Sequence, residues 1–145
     1  MYAELNPELD ELASAYSAVL LRSHRRVSDG KAHSVNDDRG QDEFHRDMEI
    51  ESAVSKVFDL GGEKAWQLIR RIVDTLPADE TVLAFFAAGE LEYHWCSEEH
   101  VVDSRDALED WLGSDPKALM VFRNCWSASA TLQQLLAKYA GSGIP

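Results

Sequence analysis

The chain of 145 residues reads as an all-α protein, an irregular bundle of about six helices, on three observations. Apolar residues recur every three or four positions through most of it. Residues that start and stop helices punctuate those runs at helical lengths: Asn6-Pro7, Gly61-Gly62, Pro77, Asp79 and Asp115-Pro116. No stretch shows the alternation of a half-buried strand.

Asn6-Pro7-Glu8 opens the first helix, with a capping side chain, proline at the first helical position and an acid in the first turn. Leu9, Leu12, Ala13, Tyr16, Val19 and Leu20 give it one apolar face, and it is expected to run to about Arg25. Arg22, Arg25 and Arg26 fall at its C-terminal end, where the helix dipole favours cations. From Val27 to Asp42 the composition turns to Ser, Asp, Gly, Asn and Arg with few apolar anchors, so a mobile loop is expected there. A second helix over Asp42 to Leu60 carries Phe44, Met48, Ile50, Val54, Val57 and Phe58, and Gly61-Gly62 ends it. In the third, Glu63 to Leu76, Trp66, Ile69, Val73 and Leu76 form a stripe with Lys64, Arg70 and Arg71 outside it. Pro77 prevents continuation.

Asp79 is a good N-cap for the fourth helix, whose run from Thr81 to Ala88 is apolar on nearly every side and so is expected to be the most buried. Gly89-Glu90 is either a tolerated glycine or a kink before Leu91 and Trp95. After Ser97 a further helix carries Val101, Val102, Ala107, Leu108, Trp111 and Leu112, either continuous or interrupted near Asp103-Ser104. The last helix opens at Pro116 and is expected to carry one pattern through Leu119, Met120, Phe122 and Trp126 to Leu132, Leu135, Leu136 and Tyr139. A flexible tail, 141–145, would follow. The length and an apolar fraction of 45% suit a single domain over 1–145.

Composition excludes several function classes. No run of about 18 apolar residues could span a bilayer, and the start MYAELNPELDEL is acidic where a secretory signal would be basic and then apolar, so a cytoplasmic protein is expected. Cys96 and Cys125 fit neither a disulfide framework nor a zinc knuckle and read as two buried, reduced thiols. A formal charge of −12 repels nucleic acid and anionic membrane alike, which leaves basic proteins as partners.

Ala65-Trp66 with Ile69, then Val82-Leu83-Ala84, Ala87-Ala88-Gly89-Glu90-Leu91-Glu92, and Asp115-Pro116 with Phe122-Arg123 and Trp126 resemble an uncharacterised bacterial family of small helical domains of unknown function. That family's motif is Ala-Ala-Gly-Pro-Leu-Glu, and here Glu90 stands in place of the proline. Tyr93 to Glu99 departs from the pattern as well, so the resemblance spans roughly 63–126. It implies a helical bacterial protein and brings no activity, cofactor or catalytic residue with it.

Charge is distributed unevenly. From Asp79 to Pro116 there are eleven acids against the single base Arg105, which is −10 of the chain's −12. A field that local can steer a basic protein, whereas most charge runs are simply solvated helix faces. The expected contact surface comprises Glu90, Glu92, Tyr93, Trp95, Glu98, Glu99, Asp103, Asp106, Glu109 and Asp110. Three of the four tryptophans fall on apolar stripes and read as core, while Trp95, inside the acidic segment beside Tyr93 and His94, reads as an exposed hot-spot anchor. The reading is an acidic binding module, most concretely a bacterial immunity or inhibitor protein that occupies the positive cleft of a basic partner such as a nuclease toxin.

Catalytic patterns are weak. Glu90, Glu92, His94, Cys96 and His100 lie close in sequence, but their spacing matches no zinc signature, so no metal or cofactor is expected. Carboxylates two apart on a helix point different ways, which is wrong for shared acid–base work. Ser127, Ser129 and the cysteines lack the context of a nucleophile, and the glycines lack that of a phosphate loop. The alternatives are a metal-dependent hydrolase built on Glu90, Glu92, His94 and His100, and a helical subunit that self-associates.

Overall fold

A computed structural model describes residues 7–30 and 40–140. It is all-α, with eight α-helices, one π-helical segment and no strand among the described residues. The helices are α1 Pro7–Ser28, α2 Gln41–Leu60, α3 Gly62–Thr75 and α4 Glu80–Phe86, followed by the π-helical segment Ala87–Trp95. Then come α5 Glu98–Asp103, α6 Arg105–Ser114, α7 Pro116–Phe122 and α8 Ala130–Ala140.

Amphipathic spacing accounts for the packing. In α1, Leu9, Ala13, Tyr16, Val19 and Leu20 are buried, and this face lies against α2 and α3. The central helix is α3, which buries seven of its fourteen residues, Ala65 to Ile69 with Ile72 and Val73, so it shares the innermost position expected of α4. α4 buries Val82, Leu83 and Phe86, while Ala84 and Phe85 stay partly covered. Asp79 caps α4 by accepting from Thr81 N at 2.9 Å, as its position suggests.

Two regions depart from the sequence reading, and at Gly89 the structure takes one of the two paths it left open. Val27 and Ser28 belong to α1, Asp29 and Gly30 form a turn after it, and Gln41 and Asp42 belong to α2; positions 31–39 of the expected loop lie outside the described residues, as does the tail 141–145. Gly89 takes the kink rather than the continuous path: its φ −98°, ψ −126° interrupt the helix, and Cys96 N donates to Leu91 O at 3.1 Å, five residues back. The largest correction concerns the last helix, which breaks after Phe122 and resumes at Ala130. Asn124 Nδ2 donates to Met120 O at 2.7 Å, and Ser129 Oγ accepts from Leu132 N at 3.1 Å. The first bond competes with helix continuation and the second starts a new helix.

Candidate partner-binding surface

The aromatic residues define what is core and what is surface. Trp95 is fully buried. Its ring centroid lies 5.9 Å from Trp66, 6.0 Å from Phe122 and 6.5 Å from His100, and Trp111 closes the cluster at 5.5 Å from Trp66. This overturns the assignment of Trp95 as an exposed anchor: the kink at Gly89 turns the segment so that Leu91 and Trp95 face inward together. Trp126, expected on a core stripe, is 81% exposed, because it sits in the break between α7 and α8. Tyr93 is 79% exposed, in keeping with its assignment to the surface.

Many of the acids have structural work. Tyr16 Oη, on a buried ring, donates to Glu90 Oε1, and burial followed by the nearby Glu90 charge holds the phenol well above its ordinary range. Glu92 Oε1 accepts from Trp126 N at 2.7 Å. Glu90 and Glu92 therefore serve opposite sides of one segment. Glu98 accepts from Ser129 Oγ at 2.7 Å, Thr131 Oγ1 at 2.7 Å and Thr131 N at 3.1 Å, so it caps the start of α8 from outside. These bonds, the Ser129 hydroxyl first, hold its carboxyl below the usual range. Glu109 lies between Arg105, Lys138 and Tyr139, and Glu80 receives Arg123 Nη2 at 2.7 Å and Nε at 2.9 Å. Asp115 accepts from Trp111 Nε1 at 3.0 Å and caps α7 through Lys117 N at 2.9 Å.

Four acids remain outward on α5 and α6: Glu99, Asp103, Asp106 and Asp110 are all exposed. Among the described residues the Asp106 carboxylate has only Arg105, at 3.5 Å, and the carboxylates of the other three have no hydrogen-bond or ion-pair partner. They form two like-charged i,i+4 pairs, Glu99/Asp103 and Asp106/Asp110, an arrangement that costs each helix a few tenths of a kcal/mol. A cleft of about 270 Å³ adjoins this ridge, between the start of α3 and the α5–α6 junction, lined in part by Glu63, Trp66, Val102, Ser104 and Asp106. A second crevice of about 220 Å³, lined in part by Leu20, Ser23, Glu51, Phe85 and Glu90, lies where α1, α2 and α4 meet the π-helical segment.

The ten assigned residues thus separate into groups. The structure gathers Glu99, Asp103, Asp106 and Asp110 on one ridge, puts Tyr93 beside Glu92, removes Trp95 to the core, and occupies Glu90, Glu98 and Glu109 in internal bonds. Nor does it assemble the groups of the hydrolase alternative. His94 Nδ1 is 2.9 Å from Asp59 Oδ1, His100 Nδ1 is 3.2 Å from Trp95 O, and Glu90 and Glu92 face Tyr16 and Trp126. Among the described residues no three His, Cys, Asp or Glu side chains are placed to hold a metal ion. Cys96 and Cys125 are free, buried and adjacent, and the contact with Cys96, together with burial, raises the Cys125 thiol well above its ordinary range. No described helix is long and apolar enough to cross a membrane.

Sequence reasoning missed Trp126, and the signal was present: Ser127-Ala128-Ser129 before Ala130 is an N-cap pattern that ends one helix pattern and begins another. It also missed Leu60, which is 84% exposed one residue before the glycine pair. No family model, curated protein or solved structure matches the chain.

Proposed function

We propose that this chain is an acidic protein-binding module whose partner is a basic protein, most concretely an immunity or inhibitor protein that covers the positive cleft of a toxin such as a nuclease. The observation that carries the reading is the ridge of Glu99, Asp103, Asp106 and Asp110. These are four outward acids in two like-charged i,i+4 pairs, with Arg105 as the only base within the segment. Such pairs weaken their own helices, so an opposite charge from outside would relieve a repulsion that the fold leaves in place. A field of this kind raises encounter rates with positive partners and is screened over about 10 Å at 0.1 M salt.

The test is capture of the partner from native host extract, identification of its charge, and binding kinetics at low and high salt. Charge reversal at Glu99, Asp103, Asp106 and Asp110 should lower the association rate, and affinity should fall with ionic strength. An acidic partner, or binding unchanged by the reversals, would sink the proposal.

A further inference from the structure

The three most exposed large hydrophobic side chains among the described residues are Leu60 at 84%, Trp126 at 81% and Tyr93 at 79%. Two hydrogen bonds bracket Tyr93. Glu92, on one side of Tyr93, accepts from Trp126 N at 2.7 Å, and His94, on the other side, bonds Asp59, the residue before Leu60, at 2.9 Å. Tyr93 is therefore one residue and one hydrogen bond from Trp126, and two residues and one hydrogen bond from Leu60. Singly exposed hydrophobics are ordinary, but three rooted together on an otherwise charged surface are not.

Trp126 is also held in its exposed position. Five of the six residues around it in the break between α7 and α8 are fastened: Arg123 and Asn124 to Glu80, Cys125 Sγ to Ala87 O at 3.6 Å, Ser127 Oγ to Cys96 O at 2.7 Å, and Ser129 to Glu98. A segment so tied fixes the backbone from which the Trp126 side chain projects into water, so binding need not order that backbone again. The carboxylates that do the tying at 92 and 98 receive neutral donors, so their charge is not cancelled: Glu92 takes a backbone N–H, and Glu98 takes two hydroxyls and a backbone N–H.

We infer that Leu60, Tyr93 and Trp126 form the docking face for a basic protein segment, with an arginine or lysine of the partner lying over the Tyr93 or Trp126 ring beside Glu92, and apolar partner side chains against Leu60. This rests on the acidic-module reading and adds to it the place where the partner seats. Charge decides the occupant. A second copy would bring together two chains of −12, whereas a cation gains from both a ring face and an adjacent carboxylate. The α5–α6 ridge steers, and this face holds.

The probe is a synthetic dodecapeptide of Arg-Leu-Gly repeats, with a Glu-Leu-Gly counterpart as control. Trp66, Trp95 and Trp111 are buried, so acrylamide quenching of the intact protein reports chiefly on Trp126. The basic peptide should shield it from the quencher and the acidic one should not. In titration calorimetry, Trp126→Ala and Tyr93→Ala should each weaken binding about tenfold while leaving its salt dependence in place. The quadruple charge-reversal variant of the α5–α6 ridge tests the field separately. If that variant loses binding while both aromatic variants keep it, the field stands and the docking face is overturned. If none of the variants changes binding, both readings fail. Sedimentation showing a dimer that Trp126→Ala dissolves would assign the face to self-contact and overturn the proposal. Both aromatic side chains are exposed, so unchanged circular dichroism is the expected folding control.

Discussion

Gly61 and His100 touch so closely that a Cβ on Gly61 would lie 2.6 Å from His100 Cδ2 and 2.8 Å from Nε2. Gly61 separates α2 from α3 at φ 66°, ψ −157°, a region open almost only to glycine, while its N–H donates to Phe58 O at 3.1 Å. Two demands meet at one residue, backbone and space.

Gly61→Ala should therefore destabilise the protein by about 3 kcal/mol, the strain of the backbone adding to displacement of His100. Gly62→Ala provides the comparison, since Gly62 also has positive φ, 73°, but nothing lies within 4 Å of its would-be Cβ. It should cost only about 1 kcal/mol. Denaturant unfolding of the two variants checks this; equal losses would mean that the His100 contact contributes nothing.

How far the sequence carried can be seen at these positions. The Gly-Gly break, Asp79 as a cap and the spacing of α1 to α3 were legible because each rests on local backbone chemistry or on a periodic pattern. Trp95 was placed on the surface by its acidic and polar neighbours although it stands four residues from buried Leu91, and Trp126 was placed in the core by a helix phase carried across an interruption. A π-type turn at Gly89 shifts the phase of everything after it, and a break at 123–129 ends a phase that the apolar pattern seemed to continue. The acidic surplus was visible in the sequence, but which acids are outward was not. That depends on partners such as Tyr16, Trp126 and Thr131, between 33 and 74 residues away along the chain.

Trp95→Ala should now act on stability rather than on an interface. Removing this ring empties the space between Trp66, Phe122 and His100, and a buried aromatic cut to alanine costs about 3 to 5 kcal/mol. Trp95→Phe should cost much less, about 1 to 2 kcal/mol, because the indole N–H is buried without an acceptor and its loss breaks no bond. Equilibrium unfolding of both variants tests the difference, and a stable, fully folded Trp95→Ala protein would contradict the core assignment.

Acid should unfold the protein through a specific set of carboxyls. Hydrogen bonds from Ser129 and Thr131 hold the Glu98 carboxyl low, those from Lys138 and Tyr139 hold Glu109 low, and those from Arg123 and Asn124 hold Glu80 low. The unfolded chain takes up these protons first as pH falls, so the stabilisation is complete above the ordinary glutamate value of 4.5 and is lost as pH drops through the lower folded values. On the alkaline side the raised Tyr16 phenol stays protonated in the fold while the unfolded chain ionises, so its contribution fades as pH rises beyond about 10. Melting temperature against pH, measured for the native protein and for Glu98→Gln, should show a shallower acid limb in the variant. Superimposable curves would remove Glu98 from the set.

Glu98 and Glu99 are neighbours of equal charge, and their opposite placements give the sharpest test of the acid assignments. Glu98 supplies an acceptor for the α8 N-terminus and for the Ser129 and Thr131 hydroxyls, three donors that reversal to lysine would leave facing a cation. Glu98→Lys should lower the melting temperature and loosen α8, which hydrogen exchange over Ala130–Ala140 would register as faster amide exchange. Glu99 is exposed, lacks a partner among the described residues and repels Asp103 four positions on. Glu99→Lys converts that repulsion to attraction but puts a cation in the first turn of α5, where the dipole opposes it, so the two terms offset and stability should change by less than about 0.5 kcal/mol. Charge reversal is therefore expected to disturb the fold at Glu98 and to spare it at Glu99. Binding changes caused by Glu98→Lys would reflect a displaced segment around Trp126, whereas those caused by Glu99→Lys would reflect charge alone. Equal stability of the two variants would refute the capping role of Glu98.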